Sequence, residues 1–181
     1  MYVNYKIDIG FTCETGQTNF NIIMKKISEL LGLKANEAAQ LGEKLNELLA
    51  NYQMFYQNLR GFHWNIKGEK FFELHAKFEE LYDDAVMKVD EIAERILTLG
   101  VTPYHTFTDY LKVSSIKEAK NLSDGVATTE ATLENLSTLI KLERDILPLA
   151  QEAGDEGTLT LLTDYITQQE KVVWMLASSL K

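Results

Sequence analysis

The sequence predicts an all-α fold, with four long helices bundled around one core and a long crossover in the middle. Three observations carry that prediction. Apolar residues recur at alternating steps of three and four through four long stretches, the period of a helix with one buried face. The 181 residues include only two prolines, Pro103 and Pro148, and ten glycines, so those stretches run largely without a breaker. No alternation of strands and helices and no glycine motif that could cradle a phosphate is visible, and an apolar fraction of 45% is enough for one core.

The beginning stands apart. Val3, Tyr5, Ile7 and Ile9 alternate with polar residues in a weak strand pattern, and residues 12–18 are turn-like. Residues 1–23 are expected to be an N-terminal extension: flexible, an overlong start ahead of Met24, or an edge strand in an assembly. The bundle is expected over 24–181. The first helix carries Ala38, Leu41, Leu45, Leu48, Tyr52, Phe55, Leu59 and Phe62 on one face and ends near His63 and Trp64. Gly42 should weaken its first turns by up to ~1 kcal/mol relative to alanine. Residues 65–70, with Gly68, read as a short connection.

The second helix starts near Phe71, shows Leu74, Phe78, Leu81, Ala85, Val89, Ile92, Ile96 and Leu99, and stops at Gly100 and Pro103. Residues 104–122 are too long for a turn and contain Phe107, Tyr110 and Leu111, which predicts a short helix within a crossover. Ser123 or Asp124 caps the third helix, with Leu133, Leu136, Ile140 and Leu147 on its stripe, and Pro148 should kink it or end it early. Residues 154–157 turn the chain. The last helix carries Leu159, Leu162, Ile166, Val173, Leu176 and Leu180, with Trp174 and Met175 as core or subunit-contact residues. Four such helices with one long link make a bundle with a crossover.

Composition excludes several functions. Eighteen basic and 27 acidic residues give a net charge of −9, and no lysine-rich tail is present, so nucleic acid is a doubtful partner and cations are favoured ones. Cys13 is the only cysteine, which rules out an intramolecular disulfide and suits a reducing cytoplasm. No apolar run approaches the roughly 18 to 20 residues that span a bilayer, and no export signal opens the chain, so no membrane partner is expected.

The chemistry concentrates in one cluster. Of three histidines, His63 and His75 stand twelve residues apart and are followed by Glu79, Asp90 and Glu94. Neutral imidazoles with carboxylates suit divalent iron, manganese or zinc, and five such ligands are what a dinuclear iron site needs. On the second helix Glu79, Asp90 and Glu94 fall about 40°, 60° and 100° round from His75, on one face. Asp90 and Glu94 nevertheless lie about 22 Å or more along the axis from His75, too far to share an ion within one straight helix. Two copies packed antiparallel about a two-fold axis would bring His63, His75 and Glu79 of one to Asp90 and Glu94 of the other. No Glu-x-x-His occurs and no histidine follows His105, so the metal site of an ordinary ferritin bundle is missing and the interior should be apolar.

The segments His63-Trp64-Asn65-Ile66-Lys67-Gly68, Phe72-Glu73-Leu74-His75, Phe78-Glu79 and Asp90-Glu91-Ile92-Ala93-Glu94-Arg95 resemble the Dps mini-ferritins, the DNA-binding proteins from starved cells. The likeness runs over about 24–180. It implies a ferritin-like four-helix bundle assembled as a hollow dodecamer, with ferroxidase sites at two-fold interfaces. It also implies oxidation of ferrous iron, preferably by hydrogen peroxide, with the ferric mineral stored inside. His63, His75, Asp90 and Glu94 match the family's ligands, and Glu79 stands where many relatives have aspartate. Trp64 matches an aromatic beside the iron. Glu80, Asp83 and Asp84 are candidate mineral-nucleating groups on the cavity side, and Asp155, Glu156 and Asp164 candidate pore residues. The family's name also raises a rival, a nucleoid-protecting DNA-binding protein with little ferroxidase activity, against which the acidic charge counts. A helical interaction module with a vestigial site is the third reading.

Overall fold

The computed structural model describes residues 27–180. Residues 1–26, and with them the expected extension over 1–23 and its strand pattern, lie outside the described residues. Residues 27–30 are helical and lead into five further helices: α1 (Ala35–Asn65), α2 (Phe71–Thr98), α3 (Phe107–Val113), α4 (Gly125–Ala153) and α5 (Glu156–Ser179). No strand occurs among the described residues. α1 and α2 form one hairpin and α4 and α5 another, joined by a crossover that contains α3. α1 packs against α2, α4 and α3, and α4 against α5. This is the predicted four-helix bundle.

Local chemistry sets the ends. Asp124 accepts from the amide of Ala127 at the start of α4, Asp155 from that of Thr158 at the start of α5, and Thr106 from that of Asp109 at the start of α3. These satisfy amides that have no partner within the helix. Gly154 (φ 68°) ends α4 in the left-handed region that only glycine enters without strain.

The stripe of α1 is buried as expected, and so is most of that of α2. The stripes of α4 and α5 are wider than the apolar residues alone predict. α4 buries Thr128, Thr129, Thr132, Leu136, Leu139, Glu143, Ile146 and Ala150, whereas Leu133, Ile140 and Leu147 are half-buried beside them. On α5, Thr158, Tyr165 and Gln169 join Leu162, Ile166 and Leu176 inside, while Trp174 and Met175 are 66% and 45% exposed and lie outside the subunit core. Reading apolar residues alone found these faces but left them incomplete, because polar side chains also occupy inward positions.

Pro148 does not end α4, which continues to Ala153. The ring is exposed, so the carbonyl freed by the missing donor can turn to water. Nor is Gly42 a plain weakness: a Cβ there would lie 2.5 Å from Val101 Cγ2, so the glycine lets the chain after α2 approach α1. Three buried asparagines of α1 secure the crossover. Asn46 donates to Thr102 O and accepts from Tyr104 N, Asn51 accepts from Ser114 Oγ and the amides of Ser115 and Ile116, and Asn58 donates to Lys117 O and accepts from Ala119 N. Side-chain amides thereby satisfy a loop that has no ladder of its own.

Candidate metal centre

The α1–α2 connection spans only Ile66 to Lys70, which returns the chain beside the end of α1 and places His75, in the second turn of α2, against His63. The two rings lock each other. His63 Nδ1 meets His75 O at 2.8 Å and His75 Nδ1 meets His63 O at 2.9 Å. A carbonyl only accepts, so each Nδ1 carries a proton, and in the neutral ring this tautomer leaves Nε2 the lone pair a metal requires. His63 is buried and His75 half-buried, with Phe71 stacked on His75 and Tyr82 edge-on to His63 at 5.3 Å.

Glu79, one helical turn beyond His75, completes a group whose ligand atoms all lie within 4.8 Å of one another. It is the one group of this kind among the described residues. The imidazoles are stacked at 3.7 Å with 22° between planes. Lone pairs lie in the ring planes, so cofacial rings cannot both aim at one ion. Tyr82 was not foreseen here. Its hydroxyl faces Glu79 Oε1 at 3.4 Å, and burial, followed by the charges of Glu79 and Asp83, pushes its pKa up so that it stays a donor.

Asp90 and Glu94 do not join this group within the chain. They are exposed on α2, whereas their neighbours are engaged: Glu91 accepts from Tyr165 Oη, and Arg95 binds Asp155 and Thr158. Trp64 is 59% exposed, with the Arg60 guanidinium 4.7 Å from its ring centre. His105 bonds only to Pro103 O in the exposed crossover.

The remaining acids separate. Glu80 pairs with Lys77, Asp83 is exposed, and Asp84 is held by Lys88. Glu156 and Asp164 are exposed, but Asp155 is only 3% exposed and does not face solvent as a pore residue would. Burial alone would raise its pKa; hydrogen bonds from Arg95 and Thr158 outweigh that and hold the carboxyl below its usual value. Its work is to cap α5 and tie it to α2.

The expectation of an apolar interior is also overturned. Tyr52 Oη donates to Glu143 Oε1 at 2.7 Å, and Gln169 Nε2 donates to both at 2.7 and 2.6 Å. Burial pushes the Glu143 carboxyl up to about 7, against the hydrogen bonds and the positive charges of Lys88 and Arg144. The sequence carried a signal for this: Glu143 lies seven residues after Leu136 and Gln169 seven after Leu162, both at inward spacings.

Comparison with known proteins agrees with this fold. A ferritin-like domain model matches residues 42–181. A DNA protection during starvation protein of Porphyromonas gingivalis is 46% identical over 155 residues, covering 86% of this chain and 98% of its own length. The chain belongs to the Dps family. DNA protection during starvation protein 2 of Bacillus anthracis is 39% identical over 141 residues, covering 78% of this chain and 97% of its own. The crystal structure of the Dps protein from Vibrio cholerae O1 superposes with a TM-score of 0.82 at 54% identity, covering 84% of this chain and 96% of that one. That protein is described as a member of a broad superfamily of ferritin-like diiron-carboxylate proteins. Like its Dps relatives, this chain combines a ferritin-like bundle with a group of side chains able to hold metal. Among the described residues no helix is long and apolar enough to cross a membrane.

Proposed function

We propose that this Dps-family chain is an iron-storing ferroxidase of the cytoplasm that oxidises ferrous iron with hydrogen peroxide at dinuclear sites between copies and keeps the ferric product inside a dodecameric cage. The observation that carries the reading is the pair of mutually locked imidazoles with Glu79 beside them. This is half a ligand set, while the exposed Asp90 and Glu94 further along α2 are the other half.

Each residue has a task. His63 and His75, their Nδ1 atoms bound to backbone carbonyls, orient one ion each through Nε2. Glu79, with the partner copy's Asp90 and Glu94, supplies about three negative charges against the four of two ferrous ions, so the pair can be bound with little net charge. Tyr82 steadies Glu79. Two ferrous ions give one electron each to one peroxide, which takes up two protons and leaves as two waters. No one-electron fragment of peroxide is released. Trp64 is the nearby aromatic in this reading. The exposed Asp83, with Glu80, offers oxygen to the ferric product on the cavity side, and Glu156 and Asp164 offer it along pores. Binding to DNA is disfavoured by the net charge of −9.

Mixing two defective variants tests both chemistry and assembly. His63→Ala/His75→Ala and Asp90→Ala/Glu94→Ala should each be inactive in peroxide-dependent iron oxidation. Reassembled together in equal amounts, they should recover about a quarter of wild-type activity, because half of the interfaces are mixed and each mixed one holds one intact site of two. No recovery from assembled mixed particles would overturn the intersubunit site, and full activity in either variant alone would overturn the ligand assignment.

A further inference from the structure

Each of the four long helices sends one polar side chain into the middle of the bundle: Tyr52 from α1, Lys88 from α2, Glu143 from α4 and Gln169 from α5, all more than nine-tenths buried. A ferritin-like fold commonly uses inward groups from facing helices to build a dimetal centre from glutamates and Glu-x-x-His pairs. The donors here do not fit one, since they offer a single carboxylate, a phenol, an amide and an ammonium, with no imidazole. The place is nonetheless made of ligand atoms. Glu143 Oε2 and Gln169 Oε1 are buried without a hydrogen-bond partner. Beside them, between α2 and α5, opens a cavity of about 600 Å³ lined by Tyr52, Gln169, Lys88 and Asp84.

Lys88 is the anomaly in that set. A buried ammonium is costly unless paired, and this one is 3% exposed. It donates to both oxygens of Asp84 at 2.5 Å and to Gln168 Oε1 at 3.0 Å, and lies 5.1 Å from the centre of the Tyr165 ring. It also acts on Glu143 as a positive charge. Its stem is buried, and where the cavity opens its ammonium meets carboxylate, amide oxygen and aromatic face, the partners a bound cation would have, with Asp84 and Gln168 themselves reaching solvent.

We propose that Lys88 closes the bundle interior to divalent metal, its ammonium serving as the resident cation where this fold would otherwise hold an ion. A divalent ion entering the cavity would meet a fixed positive charge at low dielectric and find Asp84 already taken. Where the proposed intersubunit site operates, this exclusion makes it the sole destination for tightly bound iron, so Lys88 is a specificity residue acting at a distance from the chemistry.

Cobalt(II) titration, read by its visible absorption bands and by calorimetry, tests this in the assembled His63→Ala/His75→Ala protein, where the paired imidazoles no longer compete and the exposed carboxylates set the background. Adding Lys88→Glu should create one interior site per chain, with a dissociation constant at least tenfold below that of the background and a raised melting temperature in cobalt. Lys88→Gln, which removes the charge and leaves the other oxygens, should gain affinity in the same direction by about threefold. A folded Lys88→Glu protein with no added binding overturns the proposal. If Lys88→Glu does not fold with or without cobalt, Lys88→Gln decides, and its failure to gain binding overturns it as well. Wild-type cobalt affinity in the His63→Ala/His75→Ala background would overturn the surface-site reading alone, and the gain from Lys88→Glu would still decide the interior.

Discussion

Two polar clusters share this bundle and are built on opposite plans. At the end of the α1–α2 hairpin, His63, His75 and Glu79 turn their second-row partners inward, imidazole Nδ1 to backbone carbonyl, and leave ligand atoms free. In the middle, Tyr52, Glu143 and Gln169 bond to one another, with Lys88 as the nearby charge. The first is incomplete by design of its geometry, since a chain that spends its Nδ1 protons on itself has Nε2 to offer. The second spends its donors within the chain and keeps two unpartnered oxygens, Glu143 Oε2 and Gln169 Oε1, enclosed. The contrast teaches that a buried polar group does not mark a site by being polar; what matters is whether its free lone pairs open outward, as beside the exposed Glu79, or stay enclosed.

The largest expected effect separates the clusters outright. His63→Ala should lower peroxide-dependent iron oxidation at least about a hundredfold while leaving helix content near wild type and costing only about 1–2 kcal/mol, because its loss removes a ligand together with one buried ring and its hydrogen bond. Glu143→Ala should do the reverse. It removes the acceptor of Tyr52 and Gln169 inside the bundle, at about 2–4 kcal/mol or several degrees of melting temperature, with oxidation per folded particle within about twofold. Circular dichroism melts and stopped-flow oxidation on both variants check this. Equal loss of activity in the two would dissolve the distinction.

Acidity should also act on one cluster through stability. The Glu143 carboxyl titrates near 7 in the folded chain against an ordinary 4.5, so the folded state holds that proton more tightly than the unfolded state. Its contribution is fully present below about pH 4.5 and is lost as pH rises through about 7, to a total of about 3 kcal/mol. Glu143→Gln, which has no proton to lose, should flatten that part of the profile. Denaturant midpoints of both proteins between pH 4.5 and 8 measure it, and parallel profiles would show that Glu143 is ionised throughout.

The same contrast explains what was legible in the sequence. The bundle, the crossover with its short helix and the α1 stripe from Ala38 to Phe62 could be read because apolar periodicity reports burial directly. The grouping of His63, His75 and Glu79 could be read because metal donors at helical spacing are rare enough to notice, and because the short connection brings the two histidines together. The central cluster was missed by the same habit. Glu143 and Gln169 are polar, so a stripe of apolar residues passes over them, and on α4 it shares only Leu136 with the buried face while Leu133, Ile140 and Leu147 flank it. The three asparagines of α1 were missed for a related reason: their partners lie 56 to 65 residues away in the crossover, and no local pattern announces a side chain whose acceptor is a distant loop.

The smallest effect comes from making one change in both places. Tyr52 and Tyr82 each present a hydroxyl to a glutamate, at 2.7 Å in the core and 3.4 Å at the surface cluster. Tyr52→Phe removes one of the two donors to a buried carboxyl oxygen and an acceptor of Gln169 Nε2, and should cost about 1–3 kcal/mol, read as a lower melting temperature. Tyr82→Phe removes a long bond from a glutamate that water can reach, so stability should change by less than about 0.5 kcal/mol. Its effect should fall on the metal instead. With Glu79 less firmly held, cobalt(II) should bind about two- to fivefold more weakly, with unchanged helix content. If Tyr82→Phe lowered the melting temperature as much as Tyr52→Phe and left cobalt binding alone, Tyr82 would be a packing residue, and the surface cluster would be held by its two histidine-to-carbonyl bonds alone.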